Sequence, residues 1–158
     1  MKLKFLAGIV CLFVTALTVT SCEKDKAVLA SGSCSFTFDS TAYSANSSYA
    51  YVVDTNTIGK KALILEGVTA SLNSHIAITV FFPDTLIAGV FTQAQGASIL
   101  FSKSLGQEAS FLSTTTTIKI TSINSKYAEG TFIGSLNNGT DEKPLTDGKF
   151  KVNISNEN

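Results

Sequence analysis

Hydrophobic and polar residues alternate with a period of two through most of this chain. Ile76, Ile78, Val80 and Phe82 fall on one face of a segment whose other face carries His75, Ala77 and Thr79. Ile118 and Ile120 alternate with Thr117, Lys119 and Thr121, and near the end Phe150, Val152 and Ile154 alternate with Lys149, Lys151 and Asn153. Successive side chains of a strand point to opposite faces, so this pattern predicts half-buried strands. Runs rich in β-branched and aromatic residues predict further strands at 34–38, 49–53, 61–69, 87–92, 97–103, 109–113 and 127–136. Turn residues separate them: Asn56-Thr57-Ile58-Gly59, Pro83-Asp84, Gln95-Gly96, Leu105-Gly106, Asn137-Asn138-Gly139 and Asp147-Gly148. About ten short strands, broken about every 8 to 12 residues, predict an all-β fold: an antiparallel β-sandwich or a partly open β-barrel.

Beyond the first 21 residues no segment carries a helical period, although a short turn is expected near 104–109. Pro83 and Pro144 are expected at or between strand ends, where a missing N–H breaks no central ladder. The run Thr114-Thr115-Thr116-Thr117 leads into Ile118, so strand propensity accounts for it.

The opening of the chain follows a different pattern. Lys2 and Lys4 precede an uncharged stretch from Phe5 to Val19, which narrows to Thr20-Ser21-Cys22 and turns polar at Glu23-Lys24-Asp25-Lys26. A basic start, an apolar run and small residues are the order of a secretory signal. The apolar run is shorter than the ~20 residues that span a bilayer as a helix, and Thr15, Thr18 and Thr20 dilute its end. Residues 1–21 are therefore expected to be a signal peptide, 22–33 a lipidated N-terminus with a flexible tether, and 34–158 a single β domain. The signal's end resembles the lipobox of bacterial lipoproteins. That resemblance implies a diacylglyceryl thioether on Cys22 and an acylated amine. Each buried methylene contributes about 0.8 kcal/mol, so several chains together anchor stably where one is marginal.

Charge removes several classes of partner. After residue 21 the chain holds 10 lysines against 12 acidic residues, and arginine is absent throughout. No strong field of one sign is expected, so nucleic acid is not an expected partner. The bidentate guanidinium suited to phosphate is missing, and the absence of tryptophan weakens the case for a sugar-stacking platform. Cys34 is left as the one unmodified cysteine after export, so no intrachain disulfide is expected. It alternates in phase with Phe36 and Phe38, which predicts a small core residue.

Candidate chemistry is sparse. His75 is the only imidazole available to activate a nucleophile, and its strand parity sets it opposite the Ile76-Ile78-Val80 face, so solvent exposure is expected. One histidine and one thiol do not supply a zinc site. The carboxylates, among them Asp39, Asp54, Asp84, Asp141, Glu142 and Asp147, fall mostly in expected turns. Glu66 and Glu129 interrupt apolar strand stretches, and edge positions are expected for them. No cofactor, metal or catalytic residue is nominated, and the expectation is a non-enzymatic protein.

Gly89-Val90-Phe91, Gly130-Thr131-Phe132-Ile133-Gly134 and Thr146-Asp147-Gly148-Lys149-Phe150-Lys151-Val152 together resemble a family of small Bacteroidetes lipoproteins of uncharacterised function. The resemblance covers about residues 34–154 and implies a β domain with no known activity. Phe stands at 91 where that family often has Tyr, and the usual Asp-Gly turn near Cys34 is lacking. Each glycine in these motifs is expected at a bend or close approach, and Phe132 and Phe150 are expected as core anchors. Glu23-Lys24-Asp25-Lys26 resembles stretches that route lipoproteins of that phylum to the outer face of the outer membrane, while a soluble tether explains it equally well. Asp39-Ser40-Thr41 and Asp84-Thr85-Leu86 resemble the phylum's O-glycosylation signal at Ser40 and Thr85. The functional expectation is a lipid-anchored binding or interaction module of the outer membrane, attached through Cys22. A barrel holding a small ligand inside is the alternative, with a carboxylate-dependent hydrolase behind it.

Overall fold

The computed structural model describes residues 32–55, 59–104 and 110–155. Ten strands and one 3-10 turn account for nearly all of them: β1 Gly32–Phe38, β2 Thr41–Ala45, β3 Ser47–Thr55, β4 Lys60–Val68, β5 His75–Phe82, β6 Gly89–Thr92, the turn Gln93–Gln95, β7 Ser98–Ser102, β8 Phe111–Ile123, β9 Tyr127–Asn137 and β10 Glu142–Ser155. The fold is all-β, as the alternation predicts. Eight strands close a barrel in the order β10-β9-β8-β7-β5-β4-β3-β1, and β1 pairs back onto β10. β2 and β6 lie off this ring on β1 and β8. Only Asn46 separates β2 from β3, and the short turn and its cap separate β6 from β7, so each outer strand leads into a wall strand.

Closure explains a departure from the expected all-antiparallel sheet. β10 runs past the start of β1, and there Ile154 and Ser155 pair in parallel with Ala50 and Tyr51 of β3. The sheet is therefore mixed. A closed ring leaves few unpaired wall edges, and an eight-stranded barrel is just wide enough for side chains to fill. Here they do. Cys34, Phe36, Phe38, Ile76, Ile78, Val80, Phe82, Ile118, Ile120 and Val152 all point inward and are buried, which is the parity that the sequence predicts. Phe101 stacks edge-on against Phe36 with ring centroids 5.2 Å apart and packs against Phe38 at 4.9 Å. Phe82 and Phe91 close the opposite part of the core at 5.0 Å.

Several expected boundaries move. β2 is a strand where none is expected. The separate strands expected at 109–113 and 117–121 are one strand, β8, because the threonine run between them stays in the ladder. Asp147-Gly148 is a bulge inside β10 and not a turn: Asp147 adopts φ 55°, and the register against β9 slips between Leu145 and Gly148. A bulge and a turn both need left-handed backbone, which is why Asp-Gly suggests either. Pro144 lies within β10, just beyond the last β1 pair at Leu145. The turn expected near 104–109 and the one at Asn56-Thr57-Ile58 fall mainly outside the described residues.

Two glycines accept aromatic rings. On the β9–β10 ladder Phe150 lies opposite Gly130, and Phe132 lies opposite Gly148. A Cβ on Gly130 would overlap the Lys119 carbonyl oxygen and stand 2.7 Å from the Phe150 ring. The rings of Phe132 and Phe150 sit 6.4 Å apart, each over the other's neighbouring glycine. Phe132 and Phe150 are thus the buried core anchors that the sequence predicts, and both glycines stand at close approaches.

Cys34 is wholly buried, and burial pushes its thiol from an ordinary 9.0 up to about 12. A native sample is expected to react slowly with an aromatic disulfide reagent at pH 8, and an unfolded one quickly, since both access and thiolate are then restored. Equal rates would place Cys34 at the surface. Because the folded pKa lies above the unfolded one, Cys34 favours folding fully below pH 9. That contribution is lost as pH rises toward about 12.

Candidate functional site

Among the described residues, chemically distinctive side chains converge on the outer wall of β3, β4 and β5. Tyr49 and Tyr51 alternate with the buried Ala50 and so face outward on β3, their rings 6.2 Å apart and nearly parallel. Glu66 lies directly opposite Tyr49 on the β3–β4 ladder. The Tyr49 hydroxyl donates to Glu66 Oε2 at 2.5 Å, and the Tyr51 hydroxyl approaches Oε1 at 3.5 Å. His75 Nε2 lies 3.7 Å from the same Oε2, with about a quarter of each side chain exposed.

This corrects the edge position expected for Glu66. β4 is bonded to β3 on one side and β5 on the other, so Glu66 stands in mid-wall. Phenolic donors, not an open edge, make a carboxylate tolerable there. Glu129 likewise sits on a strand paired on both sides, and Lys151 Nζ lies 3.8 Å from it on the outer surface. His75 does face away from Ile76, Ile78 and Val80, but it is half-buried against Glu66 and not freely solvated.

The geometry limits what this group can do. Ser102 lies across from His75 on β7, but its hydroxyl pairs with Ser110 Oγ at 2.8 Å. Cys34 is inside the barrel while His75 is on its outside, so thiol and imidazole never meet. The remaining acids are spread apart: Asp54 pairs with Lys61 at 3.2 Å, Asp39 with Lys143 at 3.3 Å, and Glu142 accepts from Thr114 at 2.5 Å. Among the described residues no three potential metal ligands come together. The cluster therefore offers a shielded hydrogen-bond acceptor on an aromatic surface.

A second feature is an open cleft of about 400 Å³ on the far wall, where Thr131, Lys149 and Lys151 stand around Gly130. Ser40 and Thr85 are both exposed, in the β1–β2 turn and the β5–β6 connection respectively. Cys22, the expected lipid attachment site, lies outside the described residues. The sequence could have suggested the Tyr49–Glu66 pair through the two same-face tyrosines and the lone carboxylate of an apolar strand. It could not supply the register that joins them.

No family model, no curated protein and no solved structure matches this chain.

Proposed function

We propose that the protein is a lipid-anchored envelope lipoprotein of the bacterial outer membrane, held through acyl chains on Cys22, whose barrel acts as a non-enzymatic binding or interaction module. The observation that carries the reading is the order of residues 1–22: basic, apolar, small, then cysteine. Nine residues lie between Cys22 and the start of β1 at Gly32, a span of at most about 36 Å when extended. The barrel thus sits close to the bilayer, on whichever face of the membrane the anchor is delivered to. Its interior is taken up by Phe36, Phe38, Phe101 and Phe132, which favours an outward-facing role over storage of a ligand inside. At the Glu66 cluster the hydroxyl across from His75, that of Ser102, is paired with Ser110 and not with the imidazole, which favours binding over hydrolysis.

Mass spectrometry of the N-terminal peptide from membranes is expected to show a thioether-linked diglyceride on Cys22. Cys22→Ser should release the protein from the membrane fraction. A free Cys22 thiol, or processing at a different bond, overturns the anchoring.

A further inference from the structure

The near balance of lysine and acid in the composition hides a segregation along one wall of the barrel. β1, β10, β9 and β8 lie side by side there, and their outward residues share a register. Ser33 pairs with Lys151 and Lys151 with Glu129, while Lys149 and Lys119 flank Thr131 from either side. Lys126 adds a fourth lysine in the β8–β9 turn, where its carbonyl accepts from the Ile154 N–H at 2.8 Å. Glu129 is the one carboxylate among these four lysines, and it pairs with Lys151. Toward the other end of the same strands stand Asp147, Glu142, Asp141 and Asp39, with Lys143 the one lysine among the described residues there. The wall is basic at one end and acidic at the other.

We propose that the basic half of this wall rests on the anionic headgroups of the membrane that holds the acyl chains. The inference deepens the anchored reading and rests on it: the lipid on Cys22 keeps the barrel near the bilayer, and the lysines decide which side faces it.

Three observations select a bilayer. The first is where the tether arrives. Gly32 opens β1 opposite Val152, the residue after Lys151, so the chain leading from Cys22 joins the barrel at the edge of the lysine group. The second is reach. Nine residues hold Gly32 within about 36 Å of the anchor, so a headgroup layer is always close to these lysines. The third is charge. Glu23, Lys24, Asp25 and Lys26 cancel within the tether, so an attraction to the surface has to come from the barrel. Each lysine near an anionic surface strengthens binding about fivefold, so four against one carboxylate correspond to about a hundredfold. Lysine meets phosphate as a point charge, which needs no arginine. Nor does it need buried apolar area, so a convex wall suffices.

The test is flotation of the chain from residue 22 onward, made lipid-free by Cys22→Ser, with vesicles of phosphatidylcholine alone or mixed with phosphatidylglycerol. At about 0.02 M salt the mixed vesicles are expected to bind it about tenfold more strongly or better, and at about 0.5 M the difference should vanish. Lys119→Glu with Lys149→Glu should abolish the gain and leave the denaturation midpoint unchanged, because both side chains are exposed. Equal binding to the two kinds of vesicle overturns the proposal, as does a gain that survives in the double variant. In the lipidated chain on mixed vesicles, a label at Ser125→Cys, beside Lys126, should be quenched from the headgroups more than one at Thr140→Cys in the β9–β10 turn. Equal quenching overturns the proposal too. A missing lipid on native Cys22 defeats the anchoring instead, and leaves the vesicle measurement standing.

Discussion

Phe132→Ala is expected to lower the free energy of unfolding by about 3 to 5 kcal/mol, the cost of truncating a buried aromatic ring. Phe132 is 1% exposed, and its ring meets Phe36 at 6.0 Å and Phe150 at 6.4 Å between centroids. It also covers Gly148, its partner on β10, so the ring's loss uncovers a stretch of backbone as well as a cavity. Neighbouring side chains cannot collapse into the space, because the walls around it are bonded strands. For a domain whose total stability is about 5 to 15 kcal/mol, that loss is a large fraction. Urea denaturation of wild type and variant measures it as a shift in midpoint at constant slope. A loss below about 1 kcal/mol would mean that the ring is not a core element.

The second large effect is expected from a change of one methyl group. In Gly148→Ala the new Cβ would overlap the Phe132 carbonyl oxygen and stand 2.5 Å from Cδ2 of the Phe132 ring. The ring is confined by the core, and the carbonyl belongs to the β9 backbone, so neither neighbour yields easily. Overpacking of this kind costs about 1 to 3 kcal/mol or more. The two substitutions share a contact, so their effects should not add. Part of the Gly148→Ala penalty disappears when Phe132 is already alanine, and the carbonyl part remains. Full additivity in the double variant, or wild-type stability for Gly148→Ala alone, would count against a ring-on-glycine packing.

The alternation of Ile76, Ile78, Val80 and Phe82 was enough to place their strand and its buried face, because period two is a local property of the chain. β2 is not marked by the sequence, for the same reason in reverse. Thr41-Ala42-Tyr43-Ser44-Ala45 has one large side chain, and it is held by the β1 register and by Tyr43 stacking on Phe36 at 5.3 Å. Asp147-Gly148 was ambiguous because the local backbone demand of a bulge is that of a turn. The Glu66 cluster was the least legible part. Glu66 and Tyr49 are 17 residues apart, and nothing short of the β3–β4 register shows that they touch. Sandwich and barrel, too, differ only in long-range pairing: that of β1 with β10, and of the last residues of β10 with β3.

That last pairing sets the order in which the protein can be made. Gly32 meets Val152, so the first strand of the barrel waits for the last one, 120 residues further along. Until β10 arrives, β1 and β9 each expose a ladder of unmatched N–H and C=O groups, and the interior between them is open to water. Contacts this distant in sequence slow folding, because the chain loses its freedom before the contact rewards it. A chain shortened by its final strand would be left as an open, curled sheet with two adhesive margins, prone to join its neighbours. The closing strand is thus the part of this protein whose arrival removes the margins through which an incomplete barrel would aggregate.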